Sequence, residues 1–192
     1  MTRAFRPDPV PDDLLLELVD LAARAPSAGK TQGWDLLVLT GDDVARYWDI
    51  TLPAERRSGF RWTHLLDAPV LALPFADPQA YVDRYAEPDK ARTGLGDGAD
   101  AWSTPYWTID ASMAVMTLLL AAEDAGLGAL FFGVFDHEPA VRAEFGVPDG
   151  PQLLGAIALG WPLDDERPAT GEGRSATRAR RRPEEIVRWG RW

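Results

Sequence analysis

The sequence predicts helices covering a sheet, in the α/β or α+β class. Three observations carry that reading. Short apolar runs recur at 34–40, 69–75, 128–134 and 153–160, each bounded by turn residues. Stretches of helical periodicity alternate with these runs. The longest helical stretch, 109–125, falls in the middle of the chain between the second and third runs.

Each element has its own justification. Pro11, Asp12 and Asp13 suit a helical first turn, and Leu14, Leu15, Leu18, Val19, Ala22 and Ala23 follow as one apolar stripe. The segment 25–29 (APSAG) ends that helix. WDLLVLT at 34–40 reads as a buried strand closed by Gly41-Asp42, and a short helix is expected from Asp43 to about Ile50. PVLALPF at 69–75 is a second strand, which Pro74 pushes toward a sheet edge or marks as ending. A short helix is expected at 78–86. Residues 87–103 are polar, glycine-containing and irregular, the mark of a lid or a disordered stretch. The helix at 109–125 is apolar nearly all round, so burial on most sides is expected, with Gly126 as its C′ residue. GALFFGV at 128–134 is a third strand, 138–145 a short helix stopped by Gly146, and LLGAIALG at 153–160 a fourth strand.

Composition removes several function classes. With 192 residues, 46% of them hydrophobic, the chain can bury a sizeable core. A net charge of -10 argues against nucleic-acid binding. No apolar run approaches the roughly 20 residues of a membrane span. The opening MTRAFRPDPVPDD lacks the apolar stretch of a secretory signal, so cytoplasmic residence is expected. The absence of cysteine excludes disulfides and thiolate chemistry. His64 and His137 lack a metal-ligand spacing, so no metal is expected, and no P-loop or GxGxxG is present. The charge is uneven: from Arg174 to the end stand seven arginines against Glu184 and Glu185. Such a run is either a solvated terminus or a site for a phosphate-bearing ligand.

Four segments occur in an informative order. Ala25-Pro26-Ser27-Ala28-Gly29-Lys30-Thr31-Gln32-Gly33-Trp34 follows a helix and precedes a strand. Tyr106-Trp107-Thr108-Ile109-Asp110 enters the long helix, which ends in AAEDAGLGA. The third is Phe131-Phe132-Gly133-Val134-Phe135, and the fourth is Arg180-Arg181-Arg182-Pro183-Glu184-Glu185-Ile186-Val187 with a final Trp192. Together these segments resemble the nitroreductase-like family of FMN-binding oxidoreductases over almost the whole chain. The first matches the family pattern A-P-S-x-x-N-x-Q-P-W, with Lys30 in place of the Asn and Gly33 in place of the Pro.

The resemblance implies an α+β fold, three-layer α-β-α, in one nitroreductase-like domain over 1–192. It implies a lid-like insertion at about 78–104 and an arginine-rich tail at 174–192. It further implies an intertwined homodimer with an FMN site at each interface. By resemblance, Arg3 and the tail residues Arg180, Arg181 and Arg182 take the FMN phosphate, since arginine forks pair with phosphate oxygens. The family usually carries R-x-S just upstream of Arg3, where this chain begins at Met1.

Pro26, Ser27, Ala28, Lys30 and Gln32 match the segment that meets the flavin ring, often from the partner subunit. Ser27 alternatively satisfies backbone groups at a helix end. Arg61 and His64 fall where the family carries residues against the pyrimidine edge, and positive charge there stabilises the reduced cofactor. Arg61 supplies it at any pH, whereas histidine does so only when protonated, ordinarily below about pH 6.5. The alternative is that both are surface residues of a connecting loop. Gly133 and Val134 match the place where a backbone N–H points at flavin N5, unless Gly133 is a strand-end bulge. Tyr85, Trp102, Tyr106 and Trp107 are candidates for the substrate pocket, or for packing between the loop and the core. Asp110 reads as structural, a first-turn acid, and His137 has no assigned role.

The activity implied is ping-pong. Hydride passes from NAD(P)H through the flavin to a small oxidant such as a nitroaromatic or quinone. The flavin carries the chemistry, so no side chain is assigned a catalytic role. Two alternatives stand beside it. One is a flavin-binding or sequestering protein with little turnover. The other is a specialised relative that uses a deazaflavin or oxidises a biosynthetic intermediate.

Overall fold

A computed structural model of the chain describes residues 1–163 and 178–192. Arg174, the first arginine of the tail, lies outside the described residues.

The helices are α1 (Asp12–Ala22), α2 (Asp42–Thr51), α3 (Ala54–Arg57), α4 (Pro78–Ala86), α5 (Tyr106–Asp124), α6 (Glu138–Phe145) and α7 (Pro183–Ile186). The strands are β1 (Trp34–Thr40), β2 (Val70–Ala76), β3 (Gly128–Phe132), β4 (Gln152–Leu153) and β5 (Ala156–Gly160). They form one sheet in the order β1-β2-β5-β3, with β4 also pairing β2, and every pairing is antiparallel. Helix–strand alternation here accompanies antiparallel pairing, which places the protein in the α+β class.

Two cores sandwich the sheet, because side chains of a strand alternate between faces. Leu71, Leu73 and Phe75 of β2 pack with Val44, Tyr47 and Trp48 of α2 and Val141 of α6. Val70 and Ala72, in the opposite register, pack with Leu18 and Ala22 of α1 and Val115, Leu118 and Ala122 of α5. The layers are therefore α-β-α, and β2 is buried along its whole length.

Pro74 does not put β2 at an edge. It stands opposite Leu36 in an interior strand. Its carbonyl accepts from Leu154 N–H at 2.9 Å, so its nitrogen faces the same side, at the break between β4 and β5. A residue that cannot donate is tolerated where the ladder is already interrupted. The same break divides the expected strand 153–160: Gly155 there has φ 149°, and a Cβ on it would stand 2.6 Å from the Phe132 carbonyl. β3 likewise stops at Phe132, so Gly133 and Val134 lie beyond the strand.

Segment 87–103 is built of three 3-10 turns, at Ala91–Thr93, Leu95–Asp97 and Ala99–Ala101. Gly96 lets it approach the backbone of Ala86, 2.6 Å from where a Cβ would sit. α5 ends as its sequence predicts. Leu127 N–H bonds Ala122 O and Gly126 N–H bonds Glu123 O, with Gly126 left-handed at φ 78°. Its burial differs from expectation. One side faces the core, while Ile109, Met116 and Leu120 are 39%, 52% and 59% exposed. Their spacing puts them on a single stripe.

Candidate functional site

A cavity of about 440 Å³ opens where the end of β3 meets α2 and the stretch before β2. The N-terminal segment joins it because Thr2 N–H bonds Ala129 O and Phe5 N–H bonds His64 O. Arg3, Gly133 and Val134 line it together. Tyr47, Trp48, Phe60, Trp62 and Phe132 give it an aromatic wall, within which Trp48 and Phe132 stack with centroids 6.0 Å apart. The Trp48 indole nitrogen is a buried polar atom with no hydrogen-bond partner. Phe135 closes one side. Its backbone is left-handed at φ 50°, and its ring covers Gly133 so closely that a Cβ there would collide with it.

Arg61 and His64 flank this cavity in sequence, but the lining from their stretch comes from Phe60, Trp62 and Leu65. The Arg61 and Arg3 guanidinium carbons lie 5.9 and 5.5 Å from the Trp62 ring centre. His64 Nδ1 is 2.8 Å from Asp67 Oδ2.

A second cavity, of about 300 Å³, is lined by Ala28, Tyr85, Leu95, Trp102, Ser103, Thr104 and Tyr106. It shares no lining residue with the first. Trp102 is the hub of the aromatics around it, with ring centres 4.7 Å from Tyr85, 5.8 Å from Tyr81, 5.9 Å from Tyr106 and 6.1 Å from Trp107. Trp107 is buried, and its indole N–H donates to Gln152 Oε1 at 3.1 Å. Tyr85, Trp102 and Tyr106 pack against one another between loop and core and also line this cavity.

The segment 26–32 is held from two helices. Asp110 is buried, and its Oδ2 accepts both Ala28 N–H and Tyr81 O–H at 2.7 Å. It lies beyond the first turn of α5, so its role is this tie and not helix-end electrostatics. Burial pushes the Tyr81 hydroxyl above its ordinary value, and the Asp110 carboxylate adds to the rise. Arg84 donates to Gly29 O at 2.9 Å and makes a two-pronged pair with Asp89, binding this turn to the start of segment 87–103. Lys30 and Gln32 are left-handed at φ 56° and 54°. Gln32 reaches back to Ala23 O at 3.4 Å, beside the end of α1, and Pro26 is exposed.

Arg180, Arg181 and Arg182 precede α7 and are exposed, as are Trp189 and Trp192. Arg182 pairs with Glu185 at 3.2 Å, and Arg181 donates to the Glu185 carbonyl. The arginines do not line the cavity that holds Arg3. No cluster of three or more potential metal-binding side chains occurs among the described residues. Nor is any helix among them long and apolar enough to cross a membrane.

A family model described as the Nitroreductase family matches residues 1–161. The chain belongs to the nitroreductase family. It is 31% identical over 185 residues to a protein of Thermus thermophilus named NADH dehydrogenase, covering 87% of this chain and 84% of that one. It is 29% identical over 202 residues to a Rhodospirillum rubrum protein named 5,6-dimethylbenzimidazole synthase, covering 97% and 88%. The fold is similar to that of an Exiguobacterium sibiricum protein solved in complex with FMN, with a TM-score of 0.72 at 18% identity over 98% of this chain and 91% of that one.

For this nitroreductase-family chain, sequence reasoning missed Tyr47, Trp48 and Trp62 as cavity wall and Tyr81 as the partner of Asp110. One signal was available. Asp110 is the one charged residue in the run from Ile109 to Ala122, and such a residue, where buried, needs a partner.

Proposed function

We propose that this protein is an FMN-dependent oxidoreductase of the cytoplasm, one nitroreductase-like unit over 1–192. It takes hydride from NAD(P)H and passes it to a small oxidant such as a nitroaromatic or quinone. The observation that carries the reading is the first cavity, in which Arg3, Gly133 and Val134 meet in a chain of this family.

The residues fit the cofactor. An aromatic and apolar wall suits a flat ring system, and Gly133 brings backbone to that wall beneath the ring of Phe135. Arg3 supplies a fixed positive charge for a phosphate, and Arg180, Arg181 and Arg182 supply more from the tail. Arg61 and His64 set the electrostatics of the cofactor's edge. When bound, FMN supplies the hydride chemistry. The protein positions the ring, excludes water and holds the oxidant against it, the last with Tyr85, Trp102 and Tyr106 reaching the ring from the partner of a dimer and with buried Trp107 packed behind them.

The working form is a homodimer. Pro26, Ser27, Ala28, Lys30 and Gln32 stand apart from the first cavity within one chain, so they reach the flavin of the partner. The exposed apolar stripe of α5 gives that association a surface.

Mass spectrometry of the cofactor released from purified protein, followed by anaerobic addition of NADPH, tests the reading. FMN and bleaching of a yellow protein are expected. Colour without bleaching favours a sequestering protein, and the mass of a deazaflavin overturns FMN. The Rhodospirillum rubrum relative favours one second reading, in which the oxidised substrate is a biosynthetic intermediate.

A further inference from the structure

We propose that Asp110 is a positioning residue for the flavin, acting through the Ser27–Ala28 turn that it holds from the buried side. The proposal rests on the reading above, that this turn meets the cofactor.

The turn is strained. Lys30 and Gln32 have positive φ, at 56° and 54°, a conformation costly for residues with a Cβ, beside Gly29, which adopts its 62° freely. Conformations of that kind persist only where the surroundings over-determine them. Asp110 provides the deepest of the restraints. A carboxylate oxygen only accepts, and Oδ2 takes Ala28 N–H and Tyr81 O–H, each at 2.7 Å. The Tyr81 hydroxyl hydrogen is thereby directed at Asp110. The contact between Ser27 Oγ and Tyr81 Oη, 3.4 Å long, must then have Ser27 as donor. Ser27 Oγ also accepts Gln32 N–H at 2.8 Å.

The bonds therefore run one way: Gln32 N–H to Ser27, Ser27 to Tyr81, Tyr81 to Asp110. Two consequences follow for the cofactor face. The Ser27 hydroxyl offers an acceptor there and no donor, because its proton is committed inward. Ala28 N–H is likewise committed, so its orientation is fixed from behind. Burying a carboxylate is costly without partners, and here both partners belong to the machinery that shapes the turn.

The test compares wild type with Asp110→Ala, Asp110→Asn, Tyr81→Phe and Ala28→Leu. FMN affinity is measured by fluorescence titration. The visible spectrum and midpoint potential of bound flavin are recorded, and flavin-free protein is melted. Asp110→Ala is expected to weaken FMN by tenfold or more and to move the spectrum and potential. Asp110→Asn keeps an acceptor oxygen and should stay within about threefold, while Tyr81→Phe, which loses the bonds to Asp110 and Ser27 but keeps the tie from Asp110 to Ala28, should fall between the two. A lower melting temperature for Asp110→Ala with wild-type affinity, spectrum and potential would overturn the proposal. If Asp110→Ala does not fold, an unchanged flavin spectrum in Tyr81→Phe overturns it instead. Ala28→Leu separates the two ideas. If it leaves FMN binding intact, the turn does not meet the flavin and both readings fall. If it weakens binding while Asp110→Ala does not, only the positioning role falls.

Discussion

Gly33 lies under the ring of Tyr81: a Cβ on Gly33 would stand 2.8 Å from Tyr81 Cε2 and 2.9 Å from Ala80 Cβ. The close approach accounts for the glycine at a position where the family pattern has proline. It also joins the loop before β1 to α4, whose Tyr81 is buried. Gly33→Ala should therefore destabilise by overpacking, about 1–3 kcal/mol. Calorimetry should show the melting temperature falling by roughly 2–4 °C per kcal/mol. A wild-type melting temperature would mean that Tyr81 swings aside freely.

Lys30 departs from the family pattern in the opposite sense. Its φ of 56° is a left-handed conformation that asparagine adopts more readily than lysine. Lys30→Asn should raise stability by about 0.5–1 kcal/mol, since the left-handed conformation costs roughly 1–2 kcal/mol for most residues. Chemical denaturation with an unchanged slope and a higher midpoint would show it. No gain would indicate that the lysine side chain offsets the strain with contacts of its own.

These two residues show what the sequence makes legible. The departures at positions 30 and 33 are visible by pattern alone, but their reasons are a backbone angle and a neighbour 48 positions away, at Tyr81. Local signals served well elsewhere. Acids and Pro11 open α1, Gly126 closes α5, and Gly146 closes α6. Failures came where partners decide. Pro74 reads as the signal of a sheet edge or a strand end because the break in the neighbouring strand is invisible without register. The cavity was half legible, through Arg3, Gly133 and Val134. Its aromatic wall was not, because Tyr47 and Trp48 stand in the sequence only as part of a short helix.

Two buried tyrosines give the protein an alkaline weakness. Burial raises the hydroxyls of Tyr47 and Tyr81 above the ordinary value. The folded state therefore holds its protons where the unfolded chain releases them. Stability is fully present below the unfolded value, near pH 10, and declines as pH rises beyond it. Denaturation midpoints measured from pH 8 to 11 should fall at the upper end, and less steeply in Tyr81→Phe. An unchanged slope in that variant would assign the alkaline loss to other groups.

The stripe Ile109, Met116 and Leu120 predicts an interface. These side chains are exposed on a helix whose other side is core. Placing charge there, as Met116→Glu with Leu120→Glu, should leave the fold intact, since neither side chain packs in it. Association should be lost, and FMN binding with it. Light scattering on wild type should give twice 21.1 kDa. A wild-type monomer that still binds FMN would contradict the shared site.

The tail arginines give the sharpest separation of binding from folding. Arg180, Arg181 and Arg182 are exposed, and the bonds of Arg181 and Arg182 run to Glu185 within the same short segment. Exposed pairs of this kind are worth about 0–1 kcal/mol, so replacing all three with alanine should barely move the melting temperature. Their proposed partner is the FMN phosphate, and each charge-assisted contact of that kind contributes roughly 1.5–3 kcal/mol. Loss of even one such contact corresponds to about tenfold in affinity. Riboflavin has the same ring system without the phosphate and serves as the internal control. In the triple variant FMN should weaken by tenfold or more while riboflavin binds as it does to wild type. Added salt should narrow the difference between the two ligands in wild type, because it screens exposed charge. Equal loss for FMN and riboflavin would show that the tail supports the cavity and leaves the phosphate to Arg3.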